Sequence, residues 1–160
     1  MSDGATGIIV FNLDGQRYGL RLSDVQELLP AASLVRLPAA APIVEGLLNL
    51  RGTILPVLDL RRRFGLPAKG MEPSDHLLAV SAGERLVGLR VDRAMAIVWV
   101  DESDIVDARA AVPAVQLAAG VAKLGDGLVV IHDLSGFLSQ AEADSLAEMV
   151  ALAETAEASP

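Results

Sequence analysis

Few side chains in this 160-residue sequence have acid–base or ligating chemistry. His76 and His132 are its two histidines, and it has no cysteine. Asp59 and Asp133 stand at matching points of two similar segments, each followed by Leu. Two carboxylates and an imidazole could move protons in a hydrolysis, so a small hydrolase built on Asp59, Asp133 and His132 is one reading. It is the weaker one. An Asp between a strand and a helical turn is far more commonly an N-cap. His132 takes the place that Leu58 holds in the first segment, which marks a core or strand position. Ser23, Ser33 and Ser135 lie in no nucleophile elbow. Paired-histidine metal motifs and phosphate-cradling glycine loops are missing as well. The expectation is a non-enzyme with no catalytic residue, no metal site and no cofactor.

Arg51 is the more informative residue. It sits in GLLNLRGTILPVLDLRRRFGLP, from Gly46 to Pro67, at the Arg51-Gly52 junction of two apolar strand-like runs. A solvated arginine at a hairpin tip competes with a contact residue, since arginine is enriched at interface hot spots. Arg61, Arg62 and Arg63 form a charge run that reads as a solvated helical face in preference to a binding patch.

The elements that must position these residues are mostly strands. Gly7–Leu13 and Tyr18–Leu22 flank Asp14-Gly15, a strong hairpin signal. Ser23 and Gln26 have the form of a capping box and predict a short helix stopped by Pro30. Leu34–Leu37 predicts a strand. Leu47–Arg51 and Thr53–Leu58 predict a hairpin, with Pro56 arguing for an edge position or a bulge. Leu77–Ser81, Arg85–Val91 and Ala94–Val100 continue the pattern, and 101–119 reads as an alanine-rich loop. Leu117–Leu124 and Leu128–His132 flank a glycine-rich turn. After Ser139, Leu146, Met149, Val150 and Ala153 follow a helical period.

The chain also resembles itself. Tyr18-Gly19-Leu20-Arg21-Leu22 matches Val87-Gly88-Leu89-Arg90-Val91. Gly46, Leu47, Leu50, Val57, Asp59 and Leu60 match Gly120, Val121, Leu124, Ile131, Asp133 and Leu134 at a constant displacement of 74 residues. A duplicated unit of about five short strands follows, each closing into a small barrel to hide its edges. The reading is one 1–160 domain with a first barrel near 7–67, a second near 75–138 and a C-terminal helix at 139–156.

Composition removes further classes. The net charge is -8 and aromatics are 3%, which opposes nucleic-acid binding through phosphates or base stacking. No apolar run approaches the roughly 18 residues of a membrane span, and MSDGATG has no signal-peptide form. A cytoplasmic protein without direct membrane insertion is expected.

Asn49 to Arg61, NLRGTILPVLDLR, resembles the signature of the CheW-like coupling proteins of bacterial chemosensory arrays. Tyr18-Gly19 with Val25-Gln26-Glu27, Val87 to Asp92, and Gly120 to Leu134 extend the likeness over roughly residues 7 to 138. The resemblance implies a mainly β fold of two pseudo-symmetric SH3-like five-stranded barrels around a shared core, with short helices and a C-terminal helix. It implies a signal-transduction adaptor that joins a CheA-type histidine kinase, through the kinase's regulatory domain, to the cytoplasmic domain of methyl-accepting chemotaxis receptors. Such an adaptor works in the cytoplasm, at receptor arrays on the inner face of the membrane. The same coupling role in type IV pilus or other non-flagellar pathways is the alternative. Carried over, Arg51 is a receptor contact, and a receptor-side helix falls on Leu22, Val25 and Glu27. Kinase contacts are not tied to one motif and are not assigned. The alanine-rich 107–119 loop and the Arg61–Arg63 run depart from the family pattern.

Overall fold

The structure is a computed structural model that describes residues 4–36, 42–82, 85–106, 118–125, 127–132 and 140–158. Alternating apolar residues and two-residue turns build its strands in hairpins. β1 (Ala5–Leu13) and β2 (Gln16–Arg21) pair antiparallel about Asp14 and Gly15, both at positive φ. β4 (Val44–Leu50) and β5 (Thr53–Asp59), β6 (His76–Ala82) and β7 (Arg85–Val91), and β10 (Ala118–Leu124) and β11 (Gly127–His132) form three more hairpins. β3 (Val25–Pro30), β8 (Arg93–Asp101) and the two-residue β9 (Ile105–Val106) complete the set.

The strands form two sheets, in the orders β8-β1-β2-β11-β10-β9 and β3-β6-β7-β5-β4. The fold is mainly β, as expected, but the strands do not divide at the linker near residues 68–74. The two units of the duplication exchange their first hairpins: β1–β2 joins the sheet built from later strands, and β6–β7 joins the sheet built from earlier ones. Barrel limits of 7–67 and 75–138 are therefore corrected to an interleaved partition. The cause is a pair of parallel contacts that sequence order does not reveal. Gly19 of β2 lies opposite Ile131, and Gly88 of β7 lies opposite Val57. Both glycines sit at close approaches: a Cβ would stand 2.7 Å from Ile8 Cγ2 at Gly19, where something would have to shift, and a tight 3.1 Å from Val57 Cγ2 at Gly88. The symmetry extends to the edges, where the isolated Val35–Leu47 bridge repeats the β9–β10 pairing of Val106 with Val121.

Each sheet has its own interior, one centred on Ile8, Val129 and Ile131, the other on Leu55, Val57 and Leu77. Between them a shared core joins Phe11, Leu13 and Leu20 to Leu58, Leu78 and Leu89, closed by Leu146 and Met149. These last two belong to α2 (Gln140–Ala158), the expected C-terminal helix.

Four local expectations are corrected. The Ser23 capping box forms no helix: Leu22–Asp24 is a 3₁₀ turn whose cap residue, Arg21, makes no side-chain capping bond, and Val25–Pro30 is β3. A helix this short does not recover its nucleation cost, whereas the same residues find β6 as a strand partner. Leu34–Leu37 reduces to the bridge at Val35, Leu37 lying outside the described residues. The 101–119 segment holds a 3₁₀ turn at Glu102–Asp104 and then β9. Pro56 sits in an interior strand, at the residue before the β7 ladder begins.

The arginine run is largely structural. Arg61, in α1 (Leu60–Arg63), is 4% exposed and reaches Asp92 at 2.7 Å, Asp14 at 3.2 Å and the Pro67 carbonyl at 3.1 Å. It thereby ties the β1–β2 turn to the β7–β8 corner. Arg63 pairs with Glu142 at the start of α2. Arg62 alone of the three is exposed, so a solvated basic face does not form.

Candidate docking site

The β4–β5 hairpin is closed by Arg51 and Gly52, with φ of +50° and +89°. Positive φ at both central residues is the type I′ geometry of tight hairpins. Glycine takes it freely, but an arginine there costs roughly 1–2 kcal/mol. The turn is held by Asn49, whose Oδ1 accepts the Gly52 N–H at 2.9 Å.

From this turn the Arg51 guanidinium folds across to β3, where Nη2 donates to Glu27 Oε2 at 2.5 Å. That hydrogen bond holds the Glu27 carboxyl below the usual glutamate range, and raises Arg51 in return. Both groups are charged at neutral pH. The arginine side chain is 69% exposed and the glutamate 34%. Exposed ion pairs are weakly stabilising, so the Arg51–Glu27 pair holds the guanidinium only loosely. Beneath the pair is a cavity of about 240 Å³ lined by Gln26, Leu50, Thr53, Ala79 and Leu86. The site thus offers a cation, an acceptor and a small, partly apolar hollow, which suits recognition and not bond-making.

The four residues expected at a contact surface do not form one cluster. Arg51 and Glu27 meet directly. Val25 does not join them, because a bulge between Val25 and Glu27 turns it to the opposite face. There it packs, half-buried, on the core shared by the two sheets. Leu22, in the 3₁₀ turn and not on a helix, lies beside Gly7, where a Cβ would come 3.0 Å from Leu22 Cδ2 and 3.1 Å from Trp99 Cζ3. Leu22 and Trp99 therefore flank one spot on the surface.

Trp99, 54% exposed, and Ile97 were not singled out from sequence. Their signal is the alternation in β8. Val98 and Val100 pack on the sheet interior, leaving Ile97 and Trp99 to face outward. That register is legible only once β8 is known to pair with β1.

Two of the three residues weighed for catalysis have structural roles. Asp59 caps α1, its Oδ1 accepting the Arg62 N–H at 3.3 Å. His132 is buried and stacks on Phe64 with centroids 4.5 Å apart, beside Tyr18 at 5.3 Å. Asp133 lies outside the described residues. Among the described residues no three His, Asp or Glu side chains gather to hold a metal ion. A larger open cleft of about 810 Å³, lined in part by Arg36, Glu45, Asp59, Lys69 and Met71, lies at the far end of the β4–β5 hairpin from Arg51. It mixes both charges without a dominant sign.

Comparison with known proteins gives a consistent result. The family model described as CheW-like domain matches residues 7–142. The chemotaxis protein CheW of Klebsiella aerogenes is 26% identical over 136 residues, covering 84% of this chain and 82% of that protein. The chemotaxis protein CheW of Treponema pallidum is 24% identical over 93% of this chain and 91% of its own length. Among solved structures, the scaffolding protein TtCheW from Thermoanaerobacter tengcongensis superposes with a TM-score of 0.77 at 30% identity, over 86% of this chain and 94% of that one.

Proposed function

The chain belongs to the CheW-like domain family, and from that membership we propose that it is a non-enzymatic adaptor of bacterial chemosensory arrays. It couples the cytoplasmic tips of chemoreceptors to a CheA-type histidine kinase, and works in the cytoplasm beside the membrane that holds the receptors. No described helix is long and apolar enough to cross a membrane itself.

The observation that carries the receptor side of this reading is the exposed Arg51–Glu27 pair at the hairpin tip. A receptor helical hairpin presenting a carboxylate takes Arg51 from Glu27. The exposed apolar residues Trp99 and Ile97, with Leu22 beside them, supply a second area of burial. Val25 packs on the shared core and takes no part in this surface. Affinity comes from the buried apolar area and selectivity from the charge exchange. Receptor states that bind this surface unequally shift the kinase between its own states.

The test is a pull-down with a receptor cytoplasmic fragment, paired with an assay of receptor-controlled kinase activity. Arg51→Glu is expected to lose both. Full binding and coupling by that variant overturn the assignment of Arg51.

A further inference from the structure

The matched family model ends at residue 142, three residues into α2, so this helix lies almost wholly outside what the family model describes. It is not an idle appendage. Directly opposed residues of an antiparallel pair share a face. In the β4–β5 hairpin Leu47 opposes Pro56 and Asn49 opposes Ile54, so these four share the outer face, while Leu48, Leu50, Leu55 and Val57 serve the sheet interior. Val150 packs on Leu47 and Ile54 from outside, with Ala153 against the same cluster. Next to Ile54 on that face is Asn49, which holds the Gly52 N–H. A continuous line of contacts therefore runs from α2 through Ile54 and Asn49 to the turn that keeps Arg51 at φ +50°.

The other half of the duplication serves as an internal control. Its β10–β11 hairpin has Leu128 where β5 has Ile54 and Gly125 where β4–β5 has Arg51. Leu128 is 62% exposed, against 8% for Ile54. The covered hairpin is the one with the costly turn.

We propose that α2 is a brace for the Arg51 hairpin: Val150 and Ala153, acting through Leu47, Ile54 and Asn49, hold the turn in the conformation that presents the guanidinium to the partner. Val150 is a positioning residue and touches no partner. The proposal rests on the reading of Arg51 as a receptor contact.

The experiment uses the full chain and two readouts, affinity for a receptor cytoplasmic fragment and amide hydrogen exchange along the chain. Val150→Ala is expected to weaken binding about three- to tenfold and to speed exchange at Gly52 while leaving the β10–β11 hairpin unchanged. In an Arg51→Ala background the same substitution is expected to leave affinity where Arg51→Ala has set it, because the helix acts only through that side chain. Val150→Thr, nearly equal in volume, gives the smaller effect in the same direction and serves if the alanine variant does not fold. Leu152→Ala, on the exposed face of the same helix, is expected to change neither readout. The brace is overturned by equal losses in both backgrounds, by a loss from Leu152→Ala, or by unchanged exchange at the turn. Receptor binding that survives Arg51→Ala alone instead sinks the reading of Arg51, and with it the affinity half of the proposal. The two failures are told apart because hydrogen exchange does not depend on the receptor.

Discussion

The β4–β5 and β10–β11 hairpins are copies of one frame put to different use. Leu47, Leu50 and Val57 recur as Val121, Leu124 and Ile131, and both hairpins close with two-residue turns between paired strands. Each also receives a parallel strand opposite a glycine, Gly88 in one sheet and Gly19 in the other. What recurs is what the small sheets need in order to fold. Two differences lie at the turn and on the outer face: Arg51 against Gly125, and Ile54 under a helix against Leu128 in the open; others, such as Leu58 against His132, lie in the interior. A duplicated fold thus separates two kinds of residue that a single copy confounds. Shared residues answer to packing, and the unshared ones at the turn and on the outer face are where a partner or a brace must be sought.

The largest test of that separation lies just past the first hairpin. Arg61 has Ser135 at the corresponding place in the second copy, yet it is buried against Asp92 and Asp14 and is structural. Arg61→Ala is expected to cost about 3 kcal/mol of stability, because it strands partly buried carboxylates, while Arg62→Ala stays within about 0.5 kcal/mol. Chemical denaturation measures both, and equal effects would return the run to the solvated face that the sequence implied. The pair also predicts a pH dependence. Burial by itself raises the Asp92 pKa, but the hydrogen bonds from Arg61 and the Asp14 amide outweigh it and leave the carboxyl below its ordinary range. A folded-state pKa below the unfolded one gives stability that is present above the unfolded value of about 3.9 and is lost as pH falls through the folded value. Asp92→Asn should lower stability near neutrality, where the ionised pair contributes, and flatten the curve in that acid window, so that variant and parent converge as the pH falls.

The next test addresses the outer faces directly. Ile54→Ala opens a cavity under α2 and is expected to cost about 2–4 kcal/mol, whereas Leu128→Ala, at the matching position, stays within about 0.5 kcal/mol. Similar losses at the two sites would mean that the second hairpin is covered too, and the asymmetry between the copies would vanish.

Much of this was legible in the sequence, for identifiable reasons. The hairpins were visible because Asp14-Gly15 and Arg51-Gly52 announce two-residue turns, and Asp59 was visible as a cap from its place before α1. The duplication was visible as a constant displacement. The hairpin exchange was not, because parallel pairing of β2 with β11 and of β5 with β7 joins residues far apart in the chain and leaves only a glycine as its trace. β3 was misread as a helix because its best partner, β6, begins some fifty residues later. The same gap hid the site. Arg51 and Glu27 were each singled out, but their direct pairing depends on β3 being a strand, and Trp99 declares itself only through the register of β8.

The functional half of the comparison is tested at the turns themselves. Arg51→Glu is expected to weaken receptor-fragment binding by about thirtyfold or more, the scale of a hot-spot loss, while Gly125→Glu leaves it unchanged. Calorimetry measures both, and equal losses would make the two turns one charge-sensitive surface. The smallest expected effect is also the most discriminating. Arg51→Asn keeps a residue that tolerates positive φ and removes the guanidinium, along with its bond to Glu27. If the arginine is retained for contact and against conformational preference, this variant is more stable than the parent by about 0.5–1 kcal/mol, seen as a rise of about 2–3 °C in Tm, and yet it binds receptor less well. Stability and binding then move in opposite directions at one residue, which neither a folding role nor an idle surface arginine produces. A fall in Tm together with binding would assign Arg51 to the frame that the two hairpins share.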